Sequence, residues 1–113
     1  MKSFIDHERI VNTVIDAYKK IDIIVCCAGI YTPNPEISSP EYTNDYINNM
    51  IDINLKGSIF AVKTTVEHLK KSTAGRIIFI SSITGEYTGF PGFTVYGATK
   101  SAQVIVFFQD DDM

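Results

Sequence analysis

A chain of 113 residues, 45% hydrophobic and 20% charged, has room for one domain with a modest core and does not have the composition of a disordered segment. Its formal net charge of −3 argues against a nucleic-acid or anionic-membrane surface, yet leaves open a small anionic ligand held by one local cation. No apolar run reaches the length of a membrane span, and the opening MKSFIDHERI carries charges where a signal peptide has its apolar region, so a cytoplasmic location is expected.

Residues 7–20 carry Ile10, Val11, Val14, Ile15 and Tyr18, the spacing of an amphipathic helix. Residues 21–27, IDIIVCC, are short, apolar and rich in β-branched side chains, and they end at Ala28-Gly29. They read as a strand buried on both faces, the kind that parallel sheets use. Adjacent strand residues point to opposite faces, so Cys26 and Cys27 are not expected to bond to each other. His7 and His68 stand alone, are expected as solvated helix residues, and imply no metal site.

The segment 31–41, YTPNPEISSPE, is a loop in which Ser38 or Ser39 is placed to cap the next helix. From Glu41 to Lys71 the apolar residues Ile47, Ile51, Leu55, Ile59, Val62, Val66 and Leu69 recur at helical spacing, with a bend expected near Asn54–Gly57. STAG breaks the chain, RIIFISS over 76–82 reads as a second buried strand, and a Gly-rich loop over 83–94 leads into a helix beginning near Thr94 or Val95. Two strands joined by a helix imply a right-handed parallel crossover in an α/β sheet, with strands 21–27 and 75–81 adjacent.

TGEYTGFP, residues 84–91, imitates a dinucleotide-binding turn of the form T-G-x-x-x-G-x-G. Its last glycine is replaced by Pro91, which has no N–H for a pyrophosphate, so a loop beside a site is the better reading. More telling is VYGATKSA, residues 95–102. Tyr96 and Lys100 are four apart and share a helix face, and an ammonium beside a phenol favours the phenolate and eases proton transfer. Ser82 closes a strand fourteen positions earlier, where α/β sheets build their sites. Asn54 lies within an apolar helical stretch at the expected bend, and a buried asparagine needs partners.

Taken in order, IDIIVCCAGI, MIDINLKG, GRIIFISSITG and VYGATKSA resemble four motifs of the short-chain dehydrogenases/reductases, over about residues 8–103. The resemblance implies a partial Rossmann-like, doubly wound parallel sheet with flanking helices. It implies hydride transfer between NAD or NADP and an alcohol or carbonyl substrate of sugar, polyol or 3-oxoacyl type. Tyr96 would be the general acid or base, Lys100 would lower its pKa and hold the nicotinamide ribose, and Ser82 would hydrogen-bond the substrate oxygen. Asn54 would position a relay water, and Cys27, Ala28 and Gly29, with Tyr96 and Lys100, would line the cofactor. Homo-oligomers through helices 41–71 and 95–109 would follow the family's habit.

Three departures stand beside the resemblance. Cys26 and Cys27 replace the asparagines of N-N-A-G, and the spacing from Ser82 to Tyr96 is one residue longer than usual. The N-terminal Gly-rich strand-turn-helix and the C-terminal substrate segments do not occur within residues 1–113. The ending VIVFFQDDDM combines poor helix formers with Asp110, Asp111 and Asp112, unfavourable at a helix C-terminus. The expectation is a single incomplete domain, an inactive fragment of an oxidoreductase. The alternative is a non-catalytic product that acts as an interaction module with a complete homologue.

Overall fold

The computed structural model describes residues 2–32 and 36–108. Helix α1 spans Phe4–Tyr18 and turns out of the helix at Lys19, whose left-handed φ of 66° lets its N–H reach the Ile15 carbonyl. Strand β1 is Ile23–Cys26 and strand β2 is Arg76–Phe79; they pair in parallel, with Ile23 opposite Arg76 and Cys26 opposite Phe79. Asp22 and Ile80 extend the ladder through Arg76 N–H to Asp22 O and Ile80 N–H to Cys26 O. The adjacent parallel pairing expected from the sequence is what the chain adopts.

The connection between the strands is three helical pieces in continuous succession. These are α2 at Asn44–Met50, a π-helical segment at Ile51–Lys56, and α3 at Gly57–Leu69. The expected bend is therefore a local widening of the helix that contains Asn54. Thr43 caps α2, its Oγ1 accepting from Tyr46 N–H at 3.2 Å. Ser38 and Ser39 do not serve as that cap: Ser39 Oγ instead accepts from Glu41 N–H in the preceding turn, several residues too early. A short helical turn, α4 at Ile83–Glu86, interrupts the predicted loop, and α5 runs over Thr94–Phe108. At the start of α5, Val95 N–H donates to the Tyr42 hydroxyl at 3.2 Å. Asp110–Asp112 lie outside the described residues.

Helix α3 packs on both strands, α5 on β2 and the π segment, and α1 on α3. Phe4 and His7 meet Phe60 edge to face, with ring centroids at 5.6 and 6.0 Å. That packing corrects the expectation for His7, which is only 4% exposed, with Nδ1 donating to Ser3 O. The rotation of α1 onto α3 decides this, and helical spacing alone does not specify it. His68 is half-buried.

The strands are also not buried on both faces. Ile23, Val25 and Ile78 are 56, 49 and 43% exposed, while Ile24, Cys26, Ile77 and Phe79 face the helices. A continuous apolar run reads the same whether one or two faces are covered. Both cysteines are free, Cys26 buried and Cys27 exposed. None of the described helices is long and apolar enough to cross a membrane.

Candidate active site

The site grows from the C-terminal ends of the two strands. On α5, Lys100 follows Tyr96 by one turn, and its Nζ lies 5.8 Å from the centre of the Tyr96 ring. The ammonium is held on the sheet side, donating to the Ile80 carbonyl at 2.8 Å, and the residue is 5% exposed. Burial pushes its pKa below the ordinary lysine value, and the neighbouring Cys27 pulls the other way. Helix and sheet are tied a second time by Ser81, whose hydroxyl donates to the Lys100 carbonyl at 2.9 Å.

From β1, Ala28-Gly29 lead directly to this ammonium. A Cβ added at Gly29 would stand 3.3 Å from Lys100 Nζ and 3.5 Å from Asn54 Oδ1, so a larger residue would press on both. Asn54 is wholly buried within the π segment. Its Oδ1 accepts from Ile30 N–H at 2.7 Å, and its Nδ2 donates to Ile30 O at 3.0 Å and Thr99 Oγ1 at 3.2 Å. The structure thus brings Gly29, Asn54 and Lys100 together, with Tyr96 beside Lys100.

Ser82 is placed by the next layer out. It caps α4, its Oγ accepting from Thr84 N–H at 3.1 Å, which leaves its own O–H to donate. α4 lies against the first turns of α5, so closely that a Cβ at Gly85 would sit 2.3 Å from the Gly97 carbonyl. Gly85 adopts φ 102°, a conformation glycine takes at little cost. The same packing disposes of the imitation phosphate turn. The N–H groups of Thr84, Gly85, Tyr87 and Thr88 donate to Ser82 Oγ, Thr88 O, Ile83 O and Ile83 O, so none of the four is left to face a pyrophosphate.

Several residues that the sequence did not single out complete the site. Tyr31 stacks on Phe93 with centroids at 4.8 Å, and both meet the Tyr96 ring edge to face at 5.5 and 5.9 Å. Thr99, Ser58 and Gln103 surround Asn54. A signal for Gln103 exists in the sequence, since it is the one polar residue in AQVIVFF, residues 102–108. Cys26, facing the helices, has its thiol pushed up to about 11, chiefly by burial and then by Cys27.

A parallel α/β unit with a buried lysine one turn after a tyrosine, both at the strand ends, defines an α/β protein of the Rossmann type. Comparison with known proteins makes this specific. The family model described as short chain dehydrogenase matches residues 1–110, and the chain belongs to that family. An uncharacterized oxidoreductase of Listeria monocytogenes is 37% identical over 97 residues, covering 86% of this chain and 38% of the relative. The peroxisomal multifunctional enzyme type 2 of Drosophila melanogaster is 35% identical over 98 residues, covering 87% of this chain and 16% of that protein. Among solved structures, ElxO with NADP bound superimposes with a TM-score of 0.84 at 30% identity, over 93% of this chain and 41% of that one. A short-chain dehydrogenase/reductase from Serratia marcescens gives 0.82 at 26% identity, over 93% and 46%. The chain thus spans less than half the length of these relatives.

Proposed function

We propose that these residues form the catalytic centre of an NAD(P)-dependent oxidoreductase acting on an alcohol or carbonyl of sugar, polyol or 3-oxoacyl type. The observation that carries this is the meeting of Gly29, Asn54 and Lys100, with Tyr96 one turn from Lys100. The small residue at Gly29, where a Cβ would press on Lys100 and Asn54, fits close approach by the nicotinamide end of a dinucleotide: Cys27, Ala28 and Gly29 would line it, and Lys100 would hold its ribose. When bound, that cofactor supplies or accepts the hydride.

The chain's own residues do the rest. Tyr96 donates a proton to the substrate oxygen during reduction and takes one during oxidation. Ser82 directs its free O–H at the same oxygen, where charge develops. Lys100 places a positive charge beside the phenol, and Asn54 holds the backbone at residue 30 so that the nicotinamide face stays open. The ElxO structures contain NADP and NADPH, which supports the cofactor class without choosing between NAD and NADP here.

A chimera tests the reading. Residues 8–103 replace the matching segment of the Listeria relative, and reduction of simple ketones is followed by loss of NADH or NADPH. Tyr96→Phe in the chimera should lower turnover by about 10²–10⁴-fold with cofactor affinity kept. Undiminished turnover would assign the proton to another residue.

The second reading is that the 113-residue chain by itself is non-catalytic and works through contact with a complete homologue. It is favoured by the uncovered apolar face of Ile23, Val25, Ile78 and Ile80. Association through α2–α3 and α5 belongs to the same proposal.

A further inference from the structure

Gln103 is wholly buried where α5 crosses the π segment. Its Nε2 donates to the Asn54 carbonyl at 2.7 Å and to Ser58 Oγ at 2.8 Å. The Ser58 hydroxyl donates to that same carbonyl at 3.0 Å, so its oxygen is free to accept from the glutamine. A carbonyl can only accept, so this arrangement also fixes which way the amide faces. Its Oε1 has no partner among the described residues. A buried acceptor without a donor is unfavourable, which makes an amide a poor choice if the position only filled space. What the amide provides is its two donors.

Those donors act on a backbone that departs from the ordinary helical ladder. π-helical turns widen the helix, and such irregularities persist where a side chain enters to satisfy the displaced groups. Helix α5 holds Asn54 at both ends. Thr99 accepts from its side-chain amide, and Gln103, four residues later on the same face, donates to its main-chain carbonyl. Asn54 in turn fixes both backbone groups of Ile30, the residue after Gly29 at the Lys100 ammonium.

We propose that Gln103 is a positioning residue of this site: by holding the Asn54 carbonyl it fixes the π segment, and with Thr99 it aims the Asn54 amide at residue 30. The carbonyl, with two side-chain donors on it, is then a structural anchor of the π segment. The functional meaning rests on the proposed oxidoreductase site, but the test needs no cofactor, so a failed cofactor titration and a failed positioning experiment are told apart.

The test is hydrogen exchange by NMR on the 113-residue chain. In the unsubstituted protein the Gln103 side-chain N–H₂ protons should exchange far more slowly than those of an exposed amide such as Asn12 in α1, and exchange at the same rate would overturn the proposal. Gln103→Met keeps the volume and removes both donors. The Ile30 amide should then exchange about tenfold faster relative to Val11 in α1, and adding Ser58→Ala should change it by less than the sum of the single effects. If Ile30 and Val11 accelerate in step, or if Ile30 is unchanged, Gln103 only fills the core. Should the Met variant not fold, the side-chain exchange of the unsubstituted chain decides alone.

Discussion

Asn54 and Ile30, twenty-four residues apart, are joined by a two-way hydrogen bond: the Ile30 N–H donates to Oδ1 at 2.7 Å and the Ile30 carbonyl accepts from Nδ2 at 3.0 Å. A side-chain amide here takes the place of a neighbouring strand, satisfying main-chain groups just beyond β1. Asn54→Leu preserves bulk and leaves that N–H, that carbonyl and Thr99 without the partner. The expected loss of stability is about 3 kcal/mol, read as a shift of the urea midpoint. A loss under about 1 kcal/mol would show that solvent substitutes for the amide.

Gly85 and Gly89 lie in the same loop and should respond oppositely to the same change. At Gly85 the φ is 102° and a Cβ would meet the Gly97 carbonyl at 2.3 Å, whereas nothing lies within 4 Å of a Cβ at Gly89. Gly85→Ala should cost about 2 kcal/mol or more, and Gly89→Ala should stay within about 0.5 kcal/mol. Equal midpoints for the two variants would mean that α4 moves freely away from α5.

The contrast between these glycines marks what the sequence makes legible. Periodicity located α1 and the long crossover, because helix faces repeat along the chain itself. The β-branched runs located β1 and β2, and the four-residue step put Tyr96 and Lys100 on one face. Asn54 was legible as buried because a polar residue in an apolar stretch requires partners. The π segment was not, because its widened backbone depends on Gln103 and Ser58, and Gln103 is forty-nine residues away. The exposure of Val25 and the burial of His7 were equally hidden, since both depend on which element lies against which face.

The two cysteines should be chemically distinct. Cys27 is exposed, while Cys26 is 7% exposed with its thiol raised from 9.0 to about 11. One thiol should react rapidly with a disulfide reagent in the native chain and two in denaturant. The pH dependence follows from linkage. Below pH 9 the Cys26 thiol is protonated whether the chain is folded or not. Between 9 and about 11 the unfolded chain gives up that proton and the folded one keeps it, so the unfolded state gains and stability falls. Lys100 works in the opposite sense: its lowered pKa means the folded chain sheds a proton first, so its contribution rises with pH until the unfolded lysine also titrates near 10.5. Cys26→Ala should therefore lessen the alkaline decline. An unchanged slope would show that Cys26 does not produce it.

The last expectation concerns the chain as a binder of dinucleotides. The groups proposed for the cofactor, at Cys27–Gly29, Tyr96 and Lys100, would all serve one end of the ligand, the nicotinamide and its ribose. The loop that imitates a pyrophosphate turn has four of its N–H groups engaged within the chain: Thr84 to Ser82 Oγ, Gly85 to Thr88 O, Tyr87 and Thr88 to Ile83 O. Pyrophosphate recognition depends on such groups being free and pointing outward. Rate acceleration in turn depends on holding the nicotinamide at reacting distance, where orientation carries much of the advantage. The 113-residue chain should show no saturable binding of NADH or NADPH at micromolar concentration and no ketone reduction, as followed by nicotinamide fluorescence. Saturable binding with turnover would show that the nicotinamide-end contacts suffice, and that the energetic weight placed on a free pyrophosphate turn is wrong for this chain.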